Sequence, residues 1–328
     1  MKKIIKKYTP HQIIILYRCF KAVCKLLPEH FYWLKRCVWH SSLIGNERSV
    51  LADLMIKSHV LEKGITMPDR RLGFGYDSVR RIIVRCTDAI TLYSENHIEI
   101  QSTLKDLEQY LQMHEDNSFT LPADIESGIR ELLKFKHTDT VSCFVSTPKE
   151  LFKETSDFLE FAHSRHSVRW YSDENVEKEV LIKAIELAQT APSACNRQST
   201  KVYVIESSEK KEQVLKLQNG NRGFGHLSNK ILLITSDMKC WSFKHQSMAL
   251  IDGGIFVQNL LYALHYFKIC ACTLNAGMSI KKRKKLQEII GFSSSEIPVV
   301  FITIGKAPDS FMIAGSQRLK VEDIYKFV

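Results

Sequence analysis

The stretch GGIFVQNLLYALHYF, residues 253–267, is apolar on almost every side of the helix it would form. Such a helix must be covered on most faces, either inside a large domain or between subunits. It lies between two β-branched runs bounded by turn formers, NKILLITSD (229–237) and IPVVFITIG (297–305). KVYVIES (201–207) is a third run of that kind, and CACTLNAGMS (270–279) reads as the end of a buried strand. Upstream, VEKEVLIKAIELAQTAP (176–192) spaces Val180, Ile182, Ala184, Ile185 and Ala188 as a helix closed by Pro192. Residues 151–328 therefore read as an α/β domain, a sheet flanked by helices.

The first 150 residues have a different character. SVLADLMIKSHVLEKGI (49–65) places Leu51, Leu54, Met55, Val60 and Leu61 at helical spacing, and 77–96 and 100–113 follow suit. Between them TMPDRRLGFGYD (66–77) is turn-rich, and its Gly73 and Gly75 lack the third glycine and preceding strand of a dinucleotide fingerprint. HTDTVSCFVSTPKE (137–150) reads as a linker. The organisation expected is a mostly helical domain over 1–150 followed by an α/β domain over 151–328.

Composition narrows the setting. A chain of 328 residues, 45% hydrophobic and 25% charged, is an ordinary globular protein large enough for two domains. The net charge is +10, and residues 1–50 alone carry ten basic residues against two acids. Within residues 1–30, Arg18, Lys21 and Lys25 interrupt the apolar run too early for a spanning helix. That segment reads as a basic amphipathic helix that packs on its own protein or makes peripheral contact with an anionic membrane. No nucleic-acid-binding motif accompanies the charge, so nucleic acid is not expected as a partner. Nine cysteines, an odd number with no CxxC pair, are expected as reduced thiols in a cytoplasmic protein.

Two short segments concentrate polar donors. SRHSVRWYS (164–172) supplies Arg165, His166, Ser167 and Arg169, and APSACNRQS (191–199) supplies Ser193, Asn196, Arg197 and Gln198. Arg318 follows near the carboxyl end, after the strand and turn FITIGKAPDS. Guanidiniums suit phosphate or the electron-rich edge of a heterocycle, and amides and hydroxyls suit an imide or a polyol chain. There is no carboxylate pair and no set of residues at metal-ligand spacing; His59 and Glu62 share a helix face, but two ligands do not make a site. The set suits an anionic organic cofactor. Cys195, with no positioned histidine, reads as an inert small residue.

The order of these pieces resembles the nitroreductase superfamily of FMN-dependent oxidoreductases over about residues 158–328. The resemblance is carried by Arg165-His166-Ser167-Val168-Arg169, by Pro192-Ser193-Ala194-Cys195-Asn196-Arg197-Gln198, by the helix from Asp252 to Leu261, and by Gly305 and Pro308 followed by Arg318. It implies a mixed β-sheet flanked by helices, in an intertwined homodimer with FMN at the subunit interface. It implies FMN as cofactor, NAD(P)H as electron donor and a small organic acceptor, a nitroaromatic or quinone in vitro. Arg165, Ser167 and Arg318 would hold the phosphate, with His166 as neighbour. Arg169, the catalytic candidate, would meet the reduced ring. Pro192, Ser193, Asn196 and Gln198 would meet the ring or ribityl edge, and Asn275 and Ala276 the other side. The chain departs from the family at Ser199-Thr200, where many members have Pro-Trp, and at Asn275-Ala276, where Glu-Gly is common. A redox-inactive flavin-binding scaffold, and dehydrogenation or flavin fragmentation, are the competing functions. The helical half resembles an extension found in members associated with surface-polysaccharide gene sets.

Overall fold

The computed structural model describes residues 47–328 apart from 139, 141 and 242–245, together with positions 13, 16, 17, 20, 21, 23, 24 and 27. The amphipathic helix expected near the amino terminus, with its membrane contact, lies largely outside the described residues.

Helices α1 (Glu47–Ile65), α2 (Tyr76–Leu92), α3 (Ile98–Asp116) and α4 (Ala123–Leu133) form the first half. In α1, Leu51, Leu54, Ser58, Leu61 and Ile65 are buried, a single stripe at three- and four-residue steps. Val60, off that stripe, is exposed. The stripe packs on Val79 and Ile82 of α2, Ile100, Leu104 and Leu107 of α3, and Ile125 and Ile129 of α4 in one hydrophobic core.

The stretch expected as a linker instead contains strand β1 (Phe144–Ser146), which pairs antiparallel with β6 (Phe311–Ile313). Helices α5 (Pro148–Leu151), α6 (Phe158–Ser164) and α7 (Lys178–Ala188) follow. The main sheet comprises β2 (Thr200–Ile205), β3 (Lys230–Asp237), β4 (Cys270–Asn275) and β5 (Glu296–Gly305), in the order β2-β3-β5-β4. Its three pairings are antiparallel, and no parallel pair occurs among the described residues.

Side-chain alternation decides the layers. Leu232 and Ile234 of β3 and Ile302 and Ile304 of β5 face α7 and α9 (Gln246–Tyr266). Ile231, Leu233 and Phe301 face α8 (Ser208–Leu217) and α10 (Ile280–Ile290). Gly253 lets α9 approach the sheet, because a Cβ there would lie 2.9 Å from Val299 Cγ2. The opposite flank of α9 stays wet within one chain: Leu250, Ile251 and Ile255 are 49%, 51% and 41% exposed.

Candidate functional site

Residues 165–172 run along the outer edge of β4. The Val168 amide donates to the Ala271 carbonyl at 3.0 Å and the Ser172 amide to that of Lys306 at 3.0 Å. The Tyr171 hydroxyl bonds Thr303 Oγ1 at 2.8 Å, and its ring lies over Gly305, where a Cβ would sit 2.6 Å from Tyr171 Cδ1. These contacts fix the backbone and turn Arg169 inward. Arg169 is only 7% exposed, its guanidinium lies 5.9 Å from the Phe224 ring centroid, and its buried Nε has no acceptor among the described residues.

Arg165 and Arg318 sense each other's charge, and neither makes an ion pair among the described residues. Burial lowers the Arg165 pKa from its ordinary value and the Arg318 charge lowers it further, against opposing effects of Tyr262 and Cys272. His166 is held below its ordinary pKa by burial and then by Arg165 and Arg318, which favours the neutral imidazole. Burial raises the Cys272 thiol in spite of Arg169, Lys63 and Arg165 around it. Lys63, Arg165 and Arg169 thus lie near this cysteine and, with Arg318 near Arg165, make up a cationic crescent.

Part of that crescent comes from the helical half. In the last turn of α1, the Glu62 carboxylate accepts from the Ser316 amide at 2.7 Å and pairs with His59 Nδ1 at 3.0 Å. Burial alone would raise the Glu62 pKa, but these bonds and the charges of His59 and Arg169 hold it below the ordinary value. Ser316 sits at φ 51°, in the left-handed region, and its carbonyl accepts from Arg318 Nη1 at 2.6 Å. Glu62 thus pins the loop that carries Arg318. Lys63 Nζ donates to the Gly220 carbonyl at 3.1 Å and lies 5.7 Å from the Phe224 centroid. The Trp170 indole donates to the Thr66 carbonyl at 2.7 Å. Glu62 and Lys63 carry no sequence motif, and only their place at a helix end distinguishes them.

The second segment lies elsewhere. Ser193 Oγ donates to Asp252 Oδ2 at 2.7 Å and the Ala194 amide to Asp252 Oδ1 at 2.8 Å, so the buried aspartate of α9 anchors the loop. Gln198 Nε2 donates to Asn196 Oδ1 at 2.8 Å. Cys195, Asn196 and Gln198 all have positive φ, 52°, 55° and 48°, which bends the loop sharply before β2. The Arg197 guanidinium stacks 4.8 Å from the Trp241 centroid and not toward the crescent. Pro192, Ser193, Gln198 and Asp252 line a cleft of about 250 Å³.

Strand order separates the two segments. From β4 to β2 is three strand spacings, about 14 Å. The row through Cys272, Thr303, Ile231 and Ile205 lies five residues, about 17 Å, from Thr200 where the second loop enters. Within one chain, Arg165, His166, Arg169 and Arg318 come together, while Ser193, Asn196 and Gln198 stand at the far corner of the sheet. Asn275 ends β4; its carbonyl accepts from Gln218 Nε2 at 3.1 Å and its Oδ1 from the Gly277 amide at 3.1 Å. Ala276 is buried, and Ser167 is half-buried.

Residues 162–221, which hold both donor segments, match the sequence profile of the nitroreductase family. The match to that family spans 60 of the 328 residues. The chain is similar to a Bacillus subtilis protein named for NAD(P)H nitroreductase activity, 34% identical over 86 residues, 26% of this chain. That alignment spans 41% of the relative's length. Iodotyrosine deiodinase 1 of Pongo abelii is 26% identical over 206 residues, covering 55% of this chain and 71% of that protein. A nitroreductase-type protein of Exiguobacterium sibiricum, solved in complex with FMN, is 21% identical, with 54% of this chain and all of that one covered at a TM-score of 0.47.

Proposed function

We propose that the chain is an FMN-dependent oxidoreductase that moves a hydride from NAD(P)H, by way of the flavin, to a small organic acceptor. One observation carries this reading: the buried Arg169, whose Nε has no acceptor among the described residues, stands in the same crescent as Arg165 and Arg318, which make no ion pair among those residues either. An unsatisfied buried guanidinium atom is costly and calls for an acceptor. The donor set fits FMN. Arg165, Ser167 and Arg318 would hold the phosphate with charge-assisted bonds. Arg169 would stand at the electron-rich edge of the ring, where a fixed cation favours added negative charge. Bound FMN would supply the two-electron chemistry between donor and acceptor. In balance, the acceptor gains the hydride and one solvent proton, and NAD(P)⁺ leaves.

The reading includes a homodimer. One chain places its two donor segments at opposite corners of the sheet, and a second copy would bring its Pro192–Gln198 loop to the first copy's crescent. The exposed apolar flank of α9 supports pairing. Acid release of the chromophore from purified protein, followed by chromatography, tests the cofactor. FMN supports the proposal; FAD, or no flavin after reconstitution, refutes it. The 206-residue alignment favours a second reading, reductive deiodination, in which an iodoaromatic gains hydrogen and iodide leaves while NAD(P)H is oxidised. Iodide release with an iodoaromatic as sole acceptor distinguishes it.

A further inference from the structure

The helical half is joined to the candidate site by three polar contacts from five residues of chain. Glu62 accepts from the Ser316 amide, Lys63 donates to the Gly220 carbonyl, and the Thr66 carbonyl accepts from Trp170. Met67 closes against Gly223, where a Cβ would lie 2.9 Å from its sulfur. A merely adjacent domain would present a neutral or self-paired face here. Instead α1 adds a cation to a place that already holds three.

The charges of Arg169, Lys63 and Arg165 reach Cys272, that of Arg318 reaches Arg165, and the Glu62 carboxylate feels Arg169. Lys63 and Arg169 flank the same Phe224 ring, at 5.7 Å and 5.9 Å from its centroid. Two like charges on one buried ring repel each other, and burial followed by Arg169 lowers the Lys63 pKa. The repulsion is relieved when an anion or an electron-rich group comes within reach of both cations.

We propose that the last turn of α1 is a wall of the cofactor site, with Lys63 as a second ring-side cation beside Arg169 and Glu62 as the residue that positions the Arg318 loop. This rests on the reading of the site as an FMN site. The helical extension is then part of the redox machinery: it binds the cofactor and sets the preference for the reduced, negatively charged ring.

Full-length protein is stripped of flavin and titrated with FMN as wild type, Lys63→Gln, Lys63→Arg, Arg165→Ala and the exposed charge control Lys134→Gln. Lys63→Gln should bind FMN about tenfold more weakly, the loss of one charge-assisted contact. Its preference for the reduced over the oxidised ring should fall about tenfold, a midpoint shift of about 30 mV to more negative potential for a two-electron couple. Lys63→Arg should restore the potential, Lys134→Gln should match wild type, and in wild type FMN should slow acylation of Lys63 read by mass spectrometry. The inference is overturned if Lys63→Gln keeps the wild-type potential, even with weakened binding, since that marks a tether between the two halves. It is equally overturned if arginine does not restore the potential, if Lys134→Gln shifts it as much, or if FMN leaves acylation of Lys63 unchanged. If Arg165→Ala loses FMN in those cases, the FMN reading survives. A wild-type protein that takes up no FMN overturns both.

Discussion

Asp106, in the middle of α3, is 3% exposed and accepts from Ser58 Oγ at 2.5 Å and Ser142 Oγ at 3.2 Å. Burial, then the nearby Glu62 carboxylate, pushes its pKa from 3.8 up to about 7 against the lowering effect of those two bonds. The native state therefore keeps a proton that the unfolded chain releases between about pH 4 and pH 7. Stability falls as pH rises through that window, is fully present below the unfolded pKa, and is lost through the folded one. The window holds about three decades of proton affinity, or about 4 kcal/mol at 1.36 kcal/mol per decade. Asp106→Asn removes this titration and leaves a pH-independent offset from the amide. Glu62, whose pKa moves the other way, is common to both proteins and cancels to first order in their difference. Urea unfolding of both full-length chains at pH 5 and pH 8 gives that difference by linear extrapolation. The variant should gain about 3 kcal/mol relative to wild type between the two pH values, because two of the three decades fall between them. A constant difference would show that Asp106 is ionised in the native state and that the burial argument is wrong.

Arg165→Ala or Arg318→Ala should purify with much less flavin, each losing about 1.5–3 kcal/mol or one to two decades of FMN affinity, measured by fluorescence titration. Unchanged affinity in both variants places the phosphate elsewhere. Arg169→Gln should move the flavin midpoint potential negative by about 30–60 mV, one to two decades in preference for the reduced ring. A zero or positive shift in spectroelectrochemistry refutes that placement. Ile255→Glu, on the exposed flank of α9, should convert a homodimer to monomer in micromolar light scattering while far-UV circular dichroism is kept. Leu260, fully buried in the single-chain core, would report on folding instead.

The sequence makes some of this legible and conceals the rest for physical reasons. Strands β2, β3 and β5 announce themselves because β-branched runs bounded by turn residues have few other uses. The stripe of α1 is visible because its period is that of a helix. β1 is hidden, since three residues show no alternation and its partner β6 lies over 160 positions away. Arg165, Arg169 and Arg318 can be picked out as a set by residue type, and the fold does bring them together. Which of them meets Lys63 depends on how α1 docks against Phe224, which no local pattern encodes. The separation of Ser193, Asn196 and Gln198 from that set follows from strand order, fixed by long-range pairing. Asp252 reads only as part of an apolar helix until its carboxylate is seen holding Ser193 and Ala194.

The central claim is that a flavin in this crescent carries electrons from a reduced nicotinamide. The absorbance spectrum of the purified full-length protein, before and after anaerobic addition of NAD(P)H, tests it most directly. A flavin spectrum that bleaches on addition and returns with an added quinone or nitroaromatic is the result expected. A protein reconstituted with FMN that neither binds the flavin nor bleaches would contradict the account.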